Sequence, residues 1–146
     1  MSHPLHSWTG QSKDVNAAII FNNNKNKIIK TAVSVKISSF DSKNANRDSH
    51  TMEVTDALKY PNVTFVSKSI VEKNNDNYQV SGLLTFHGIT KQISFNTQIY
   101  NTKKEIEVRG NFSIKMTAYG IKPPSLLGMP TKDNIKISFN VFFTNK

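Results

Sequence analysis

Apolar residues recur at every second position along most of this chain. "TAVSVKIS" places Val33, Val35 and Ile37 on one face and Ser34, Lys36 and Ser38 on the other. "YQVSGLLTF" repeats the pattern with Tyr78, Val80, Leu84 and Phe86, and "QISFNTQIY" with Ile93, Phe95 and Ile99. The longest run, "EIEVRGNFSIKM", sets Ile106, Val108, Phe112, Ile114 and Met116 against Glu105, Glu107, Arg109, Asn111 and Lys115. "NIKISFNVFF" ends the series with Ile135, Ile137, Phe139, Val141 and Phe143 on its dry side. Alternation of this kind predicts strands with one wet and one dry face. Two less regular runs, 15–22 and 62–71, are predicted as strands as well.

The connections are short and polar: "NNNKNK" (22–27), "EKNNDN" (72–77), "FHGITK" (86–91) and "YNTKKE" (100–105). Asn, Asp and Gly suit tight turns. None of these links can hold a crossover helix, so the strands should form an antiparallel meander. The one helical candidate is "DSHTMEVTDAL" (48–58), with Asp48 or Ser49 as N-cap, Met52, Ala57 and Leu58 as a weak apolar side, and Pro61 as terminator. It belongs to an unusually polar connection, "SSFDSKNANRDSHTMEV" (38–54).

Seven or more such strands make a sandwich or a closed barrel. Long strands favour the barrel, as do Gly82 and Gly110, which interrupt the dry face where a sheet would bend. A barrel of about eight strands either fills its interior with side chains or holds one ligand. "PPSLLGMP" (123–130) is apolar yet bracketed by proline, so it reads as irregular chain: a lid over a barrel mouth or a tip that touches membrane.

The 146 residues suit one domain spanning 1–146, and 9 Phe supply the aromatics that a disordered chain lacks. The net charge of +9 comes almost wholly from lysines scattered along the chain. That reads first as a solvated surface, with an anionic membrane as the partner it would suit. Nucleic acid is not expected, because only Arg47 and Arg109 could give bidentate readout. The absence of cysteine excludes disulfides and thiolate metal sites.

Enzyme signatures are missing: there is no G-x-S-x-G elbow, no phosphate loop and no H-E-x-x-H helix. No catalytic residue and no cofactor is expected. Of four histidines, His3 and His6 have chelate-like spacing, but an extended segment around Pro4 would point them to opposite sides. No metal site is expected; His50 and His87 read as groups that satisfy nearby backbone, and a histidine cluster binding metal stays as an alternative.

"FDSKNANRDSH", "YPNVTFVSKSI", "YQVSGLLTFHGITKQISF" and the terminal "NIKISFNV" together resemble the YceI-like family, in order and spacing, from His3 to Phe143. The most specific pieces are "NRDSH" (46–50), "KYPNVTF" (59–65) and "SGLLTFHGITK" (81–91). The resemblance implies an all-β, extended, lipocalin-like antiparallel barrel. It also implies a carrier rather than an enzyme, with a polyisoprenoid, isoprenoid quinone or fatty-acyl-type lipid in the lumen, and a periplasmic or secreted location. Family members carry a full first strand ahead of the segment matching "HPLHSWTG" and usually a signal peptide; here only "MSHPLHS" precedes Trp8. Either the natural start lies upstream or the chain has been shortened. Residues 3–8 are expected to pair in the sheet, and an exposed edge there leaves a homodimer open.

On this reading the lumen is lined by Trp8, Phe40, Phe65, Leu84, Phe86, Phe95, Phe112, Leu126, Leu127 and Phe139. Any one of them could instead be plain core. Residues 41–50 then cross one mouth as a polar collar. Arg47 and His50 either recognise a headgroup or, for Arg47, pair with Asp41 or Asp48 to hold the loop. The competing reading of the whole is a structural or stress-related interaction domain with a self-filled core.

Overall fold

The turn after Phe86 shows how local chemistry sets the architecture. His87 and Gly88 both have positive φ, 55° and 75°. That is the pattern of a type I′ turn, whose twist matches the strands on either side. Side chains resist this backbone region and glycine does not. The result is a tight hairpin in register from Phe86↔Ile89 to Asn77↔Gln98.

The computed structural model describes residues 2–3, 6–7, 12–22, 27–102, 105–121, 125–126, 129–130 and 133–144. Seven strands form one antiparallel sheet: β1 (Val15–Asn22), β2 (Lys27–Lys36), β3 (Asn62–Asn74), β4 (Asn77–Phe86), β5 (Ile89–Asn101), β6 (Glu105–Lys115) and β7 (Asn134–Thr144). Their spatial order is β7-β6-β5-β4-β3-β2-β1, a plain meander. β1 and β7 do not pair with each other among the described residues, so the sheet is a curled half-barrel of seven strands rather than a closed one of about eight.

The curl is visible in the aromatic contacts. Strands two apart in a flat sheet lie about 10 Å apart. Yet the Phe95 ring on β5 lies 5.3 Å from Phe65 on β3 and 5.7 Å from Phe139 on β7. The rings can converge because the strands between them offer no side chain at that level. Gly82 faces Ser67 and Ile93, and Gly110 faces Thr97 and Phe139. The Phe65 ring lies where a Cβ on Gly82 would point, and the Phe139 ring does the same over Gly110. A bulge at Lys68 adds to the bend: the β3 register jumps between Ser67 and Ser69, which keeps Phe65, Ser67 and Ile70 on the inner face.

The long polar connection forms α1, Ala45–Val54, three residues earlier than the sequence suggested. The cap is Asn44, whose side chain accepts from the Arg47 N–H at 3.1 Å, not Asp48 or Ser49. Asp48 lies inside the first turn and is drawn back to Ser42 instead, at 2.6 Å from its Oγ. Leu58, expected on the apolar side, lies past the helix and is 96% exposed, whereas Met52 and Val54 pack on the core.

The amino-terminal segment departs from expectation. Ser2–His3 pairs with His6–Ser7 as a separate two-stranded unit, so these residues pair with each other and not with the main sheet. His3 and His6 are register partners there, not successive positions of one extended strand. Ser125–Leu126 likewise pairs with Met129–Pro130, inside the stretch expected to be irregular. Pro130 ends this two-residue ladder, a position where a missing N–H is tolerated.

Gly82→Ala should cost about 2–3 kcal/mol, because the new methyl would sit 2.3 Å from the Val66 carbonyl oxygen and 2.8 Å from the Ser67 Cα. Urea unfolding measures it; an unchanged midpoint would mean that the sheet does not depend on this close approach.

Candidate functional site

The concave face divides into three levels. At the end carrying α1 it is closed by the protein itself. Met116, Tyr119 and Ile121 are at most 2% exposed and pack with Ile37, Ala57, Leu84, Phe86 and Ile114. Burial pushes the Tyr119 phenol above its ordinary range. A latch holds this plug to the start of β7. The Met116 N–H donates to the Asp133 carbonyl at 2.9 Å, the Thr117 N–H to Oδ1 at 2.9 Å, and the Thr117 hydroxyl to Oδ2 at 2.6 Å. His87 braces the same end: its Nδ1–H donates to the Tyr119 carbonyl at 2.9 Å, and its ring meets Tyr60 edge-on at 5.0 Å.

The middle level is aromatic. Phe95 stacks on Phe112 at 4.9 Å, Phe112 lies 6.3 Å from Phe139, and Phe65 completes the group. Phe65 is buried, but Phe95, Phe112 and Phe139 are only partly covered, as are Ile93, Ile135 and Ile137 beside them. The third level, toward the opposite end, carries Ile28 and Ile99, both buried, with Val108, Val141 and Phe143 partly covered. Its rim is polar: Tyr78 donates to Glu72 at 3.2 Å, and Lys27 pairs with Glu72 at 3.3 Å. The concave face is therefore a trough, closed at one end and greasy along its floor.

Among the described residues the wall has two seams: β2 and β3 pair only from Ala32↔Val66 to Lys36↔Asn62, and the second seam lies between β5 and β6. β5 and β6 pair only from Thr97↔Gly110 to Asn101↔Ile106, although each continues paired with its other neighbour. A cleft of about 510 Å³ lies along the unpaired stretch, between Ser94, Asn96 and Gln98 on one strand and Arg109, Asn111 and Ser113 on the other. Phe95, Thr97, Gly110 and Phe112 of the trough also border it.

The structure sorts the residues singled out from the sequence. Phe65, Leu84, Phe86, Phe95, Phe112 and Phe139 share the concave face, but Leu84 and Phe86 lie among the plugging residues. Phe40 stands apart: it is 38% exposed and borders a pocket of about 190 Å³ between Ile37 and Met52 of α1. Trp8 and Leu127 lie outside the described residues, as does the Leu126 side chain. His50 is exposed on α1. The Arg47 guanidinium donates to the Ser42 carbonyl at 3.1 Å and reaches its hydroxyl at 3.4 Å, while Asp41 pairs with Lys43 at 3.6 Å. Asp41 is held below its usual carboxylate range by the Lys43 N–H and ammonium. The polar collar thus turns largely on itself, with Ser42 at its centre. Among the described residues no three His, Cys, Asp or Glu side chains gather as a metal would need, and no helix is long and apolar enough to cross a membrane.

Sequence reading missed the plug and Thr97. Met116 closes the longest alternating run and Tyr119 lies outside every run; the local signal in the sequence is Gly120, which takes up the bend at φ 69°. Thr97 was visible as the one polar residue on the dry face of "QISFNTQIY".

Residues 1–143 match the YceI-like domain. The chain belongs to the YceI-like family. Among curated relatives, a UPF0312 protein of Photorhabdus laumondii is 32% identical over 108 residues, 72% of this chain and 56% of that protein. One from Pseudomonas fluorescens is 32% identical over 133 residues, 85% of this chain and 69% of that protein. Protein YceI of Salmonella newport is 30% identical over 68% of this chain and 53% of its own length. The chain thus spans roughly half to two thirds of these YceI relatives. Among solved structures, the YceI protein of Campylobacter jejuni superposes with a TM-score of 0.83 at 26% identity, covering 98% of this chain and 88% of that one. A polyisoprenoid-binding domain from Saccharophagus degradans shares the fold, with a TM-score of 0.67 at 11% identity over 95% of this chain and 98% of the other.

Arg47→Ala should lower stability by about 1–2 kcal/mol, since it strips a charged donor from a loop built around Ser42. Thermal unfolding reads this out; a full-strength fold with loss of a copurifying amphiphile would assign Arg47 to recognition instead. Asp133 is held below its usual range by the Thr117 hydroxyl and then the Thr117 N–H. A lowered carboxylate adds stability that is complete above about pH 4 and is lost as pH falls through the lowered value. Asp133→Asn should therefore melt earlier than wild type near neutral pH, with the gap narrowing in acid. A gap constant from neutral to strongly acid pH would show that the charge plays no part in the latch.

Proposed function

We propose that this YceI-like protein is a non-enzymatic carrier that holds a long-chain isoprenoid, or a similar amphiphile, along the concave face of its sheet. The observation that carries this reading is the incomplete cover over Phe95, Phe112 and Phe139 and the Ile side chains beside them. Apolar side chains gathered on a concave surface and left partly exposed gain free energy from an apolar guest. Each isoprene unit brings five carbons. At about 0.8 kcal/mol per buried methylene, a few units supply the roughly 8 kcal/mol of micromolar binding before ordering costs. The Saccharophagus domain of the same fold is described as polyisoprenoid-binding, which favours an isoprenoid chain over other lipids. The sequence resemblance to exported carriers favours a periplasmic or secreted location, and the charge of +9 favours brief contact with an anionic membrane face.

The carrier reading predicts that organic extraction of purified protein, followed by mass spectrometry, yields a long-chain amphiphile in near-stoichiometric amount. Phe112→Asp, which sets a charge on the trough floor, should abolish that recovery. An empty extract, together with failure of added polyprenol to raise the melting temperature, would favour the self-filled structural domain.

A further inference from the structure

Thr97 sits on the trough floor, two residues from Phe95 on the same face of β5, and is 2% exposed. Its hydroxyl is fully buried and has no hydrogen-bond partner among the described residues. Its neighbours explain why. Across one ladder lies Gly110, which has no side chain, and across the other lies Tyr78, whose phenol donates to Glu72 at 3.2 Å. A buried hydroxyl left unpaired costs about 1–3 kcal/mol. A methyl in its place would fill the same volume without that cost, so a valine would serve a merely structural wall better. Such an exception asks for an explanation in terms of what the group does.

We infer that the Thr97 hydroxyl is the polar anchor of the trough: it hydrogen-bonds an oxygen of the guest whose chain lies over Phe95, Phe112 and Phe139. The inference rests on the carrier reading and narrows it, from any apolar chain to one bearing a hydroxyl or carbonyl oxygen. The surroundings suit that role. Phe139 covers Gly110 with a half-buried ring, the kind of cover that a guest can displace. The β5–β6 ladder ends at the Thr97↔Gly110 pair, so just beyond the anchor no backbone bonds join those two strands. A threonine hydroxyl both donates and accepts, so it serves a prenol and a quinone carbonyl alike.

The test compares hexaprenol with squalene, two chains built from the same number of isoprene units, of which only the first carries a hydroxyl. Binding is measured by partition from detergent micelles to wild type, Thr97→Val and Thr97→Ser. Thr97→Val should weaken hexaprenol about tenfold, leave squalene unchanged, and raise the melting temperature by about 2–6 °C as the unpaired hydroxyl disappears. Thr97→Ser should restore most of the hexaprenol affinity. Equal binding of hexaprenol to wild type and Thr97→Val overturns the anchor while leaving the carrier intact, as does a lowered melting temperature in Thr97→Val. Failure of wild type to take up either chain overturns the carrier reading, and the anchor with it.

Discussion

Close backbone approach at two glycines is the constraint on which the rest of this molecule depends. Gly82 and Gly110 remove side chains from the concave face at the level where Phe65, Phe95, Phe112 and Phe139 must meet. With bulkier residues there, the rings would be held apart and the sheet would flatten. A flat antiparallel sheet of seven strands would present a broad apolar face to water instead of a trough. The aromatic contacts then reinforce the bend, each worth about 0.5–1.5 kcal/mol beyond its buried area.

Closure at one end follows from the same economy of space. The short helical turn Met116–Tyr119 places Met116 and Tyr119 in the gap beneath α1, and Asp133 ties that turn to the next strand. The polar connection that α1 occupies has a structural explanation of its own. Ser42 is 6% exposed and receives Asp48 on one side and Arg47 on the other, so its hydrogen-bonding groups are spent within the loop. What distinguishes the two ends is thus chemical: one is sealed by side chains and hydrogen bonds, the other rimmed by Tyr78, Glu72 and Lys27.

Much of this was legible in the sequence, because a strand with one wet and one dry face writes itself at period two. Val15–Asn22 emerged with the bounds expected, and the inward sets of β4, β5, β6 and β7 were read position by position. The importance of Gly82 and Gly110 was legible too, since a glycine inside an alternating run has few other uses. What escaped was set by contacts distant in sequence. The helix began earlier because Asn44 competes well as a cap while Asp48 is claimed by Ser42. Nothing local announces that Tyr119 will be among the most buried residues, or that Phe40, at the end of an alternating run, will turn away from the trough. The pairing of His3 with His6 is likewise a matter of which backbone finds which partner, not of spacing.

The seam between β5 and β6 has a mechanical meaning. Where neighbouring strands are laddered, widening the wall means breaking bonds between them. Along residues 89–96 and 111–115 no ladder bonds hold those two strands together, and the stacked Phe95 and Phe112 rings bridge the gap by dispersion alone. Like an expansion joint in masonry, this stretch lets the girth of the half-pipe change by sliding two flat surfaces, at little cost to the strands that bear the load.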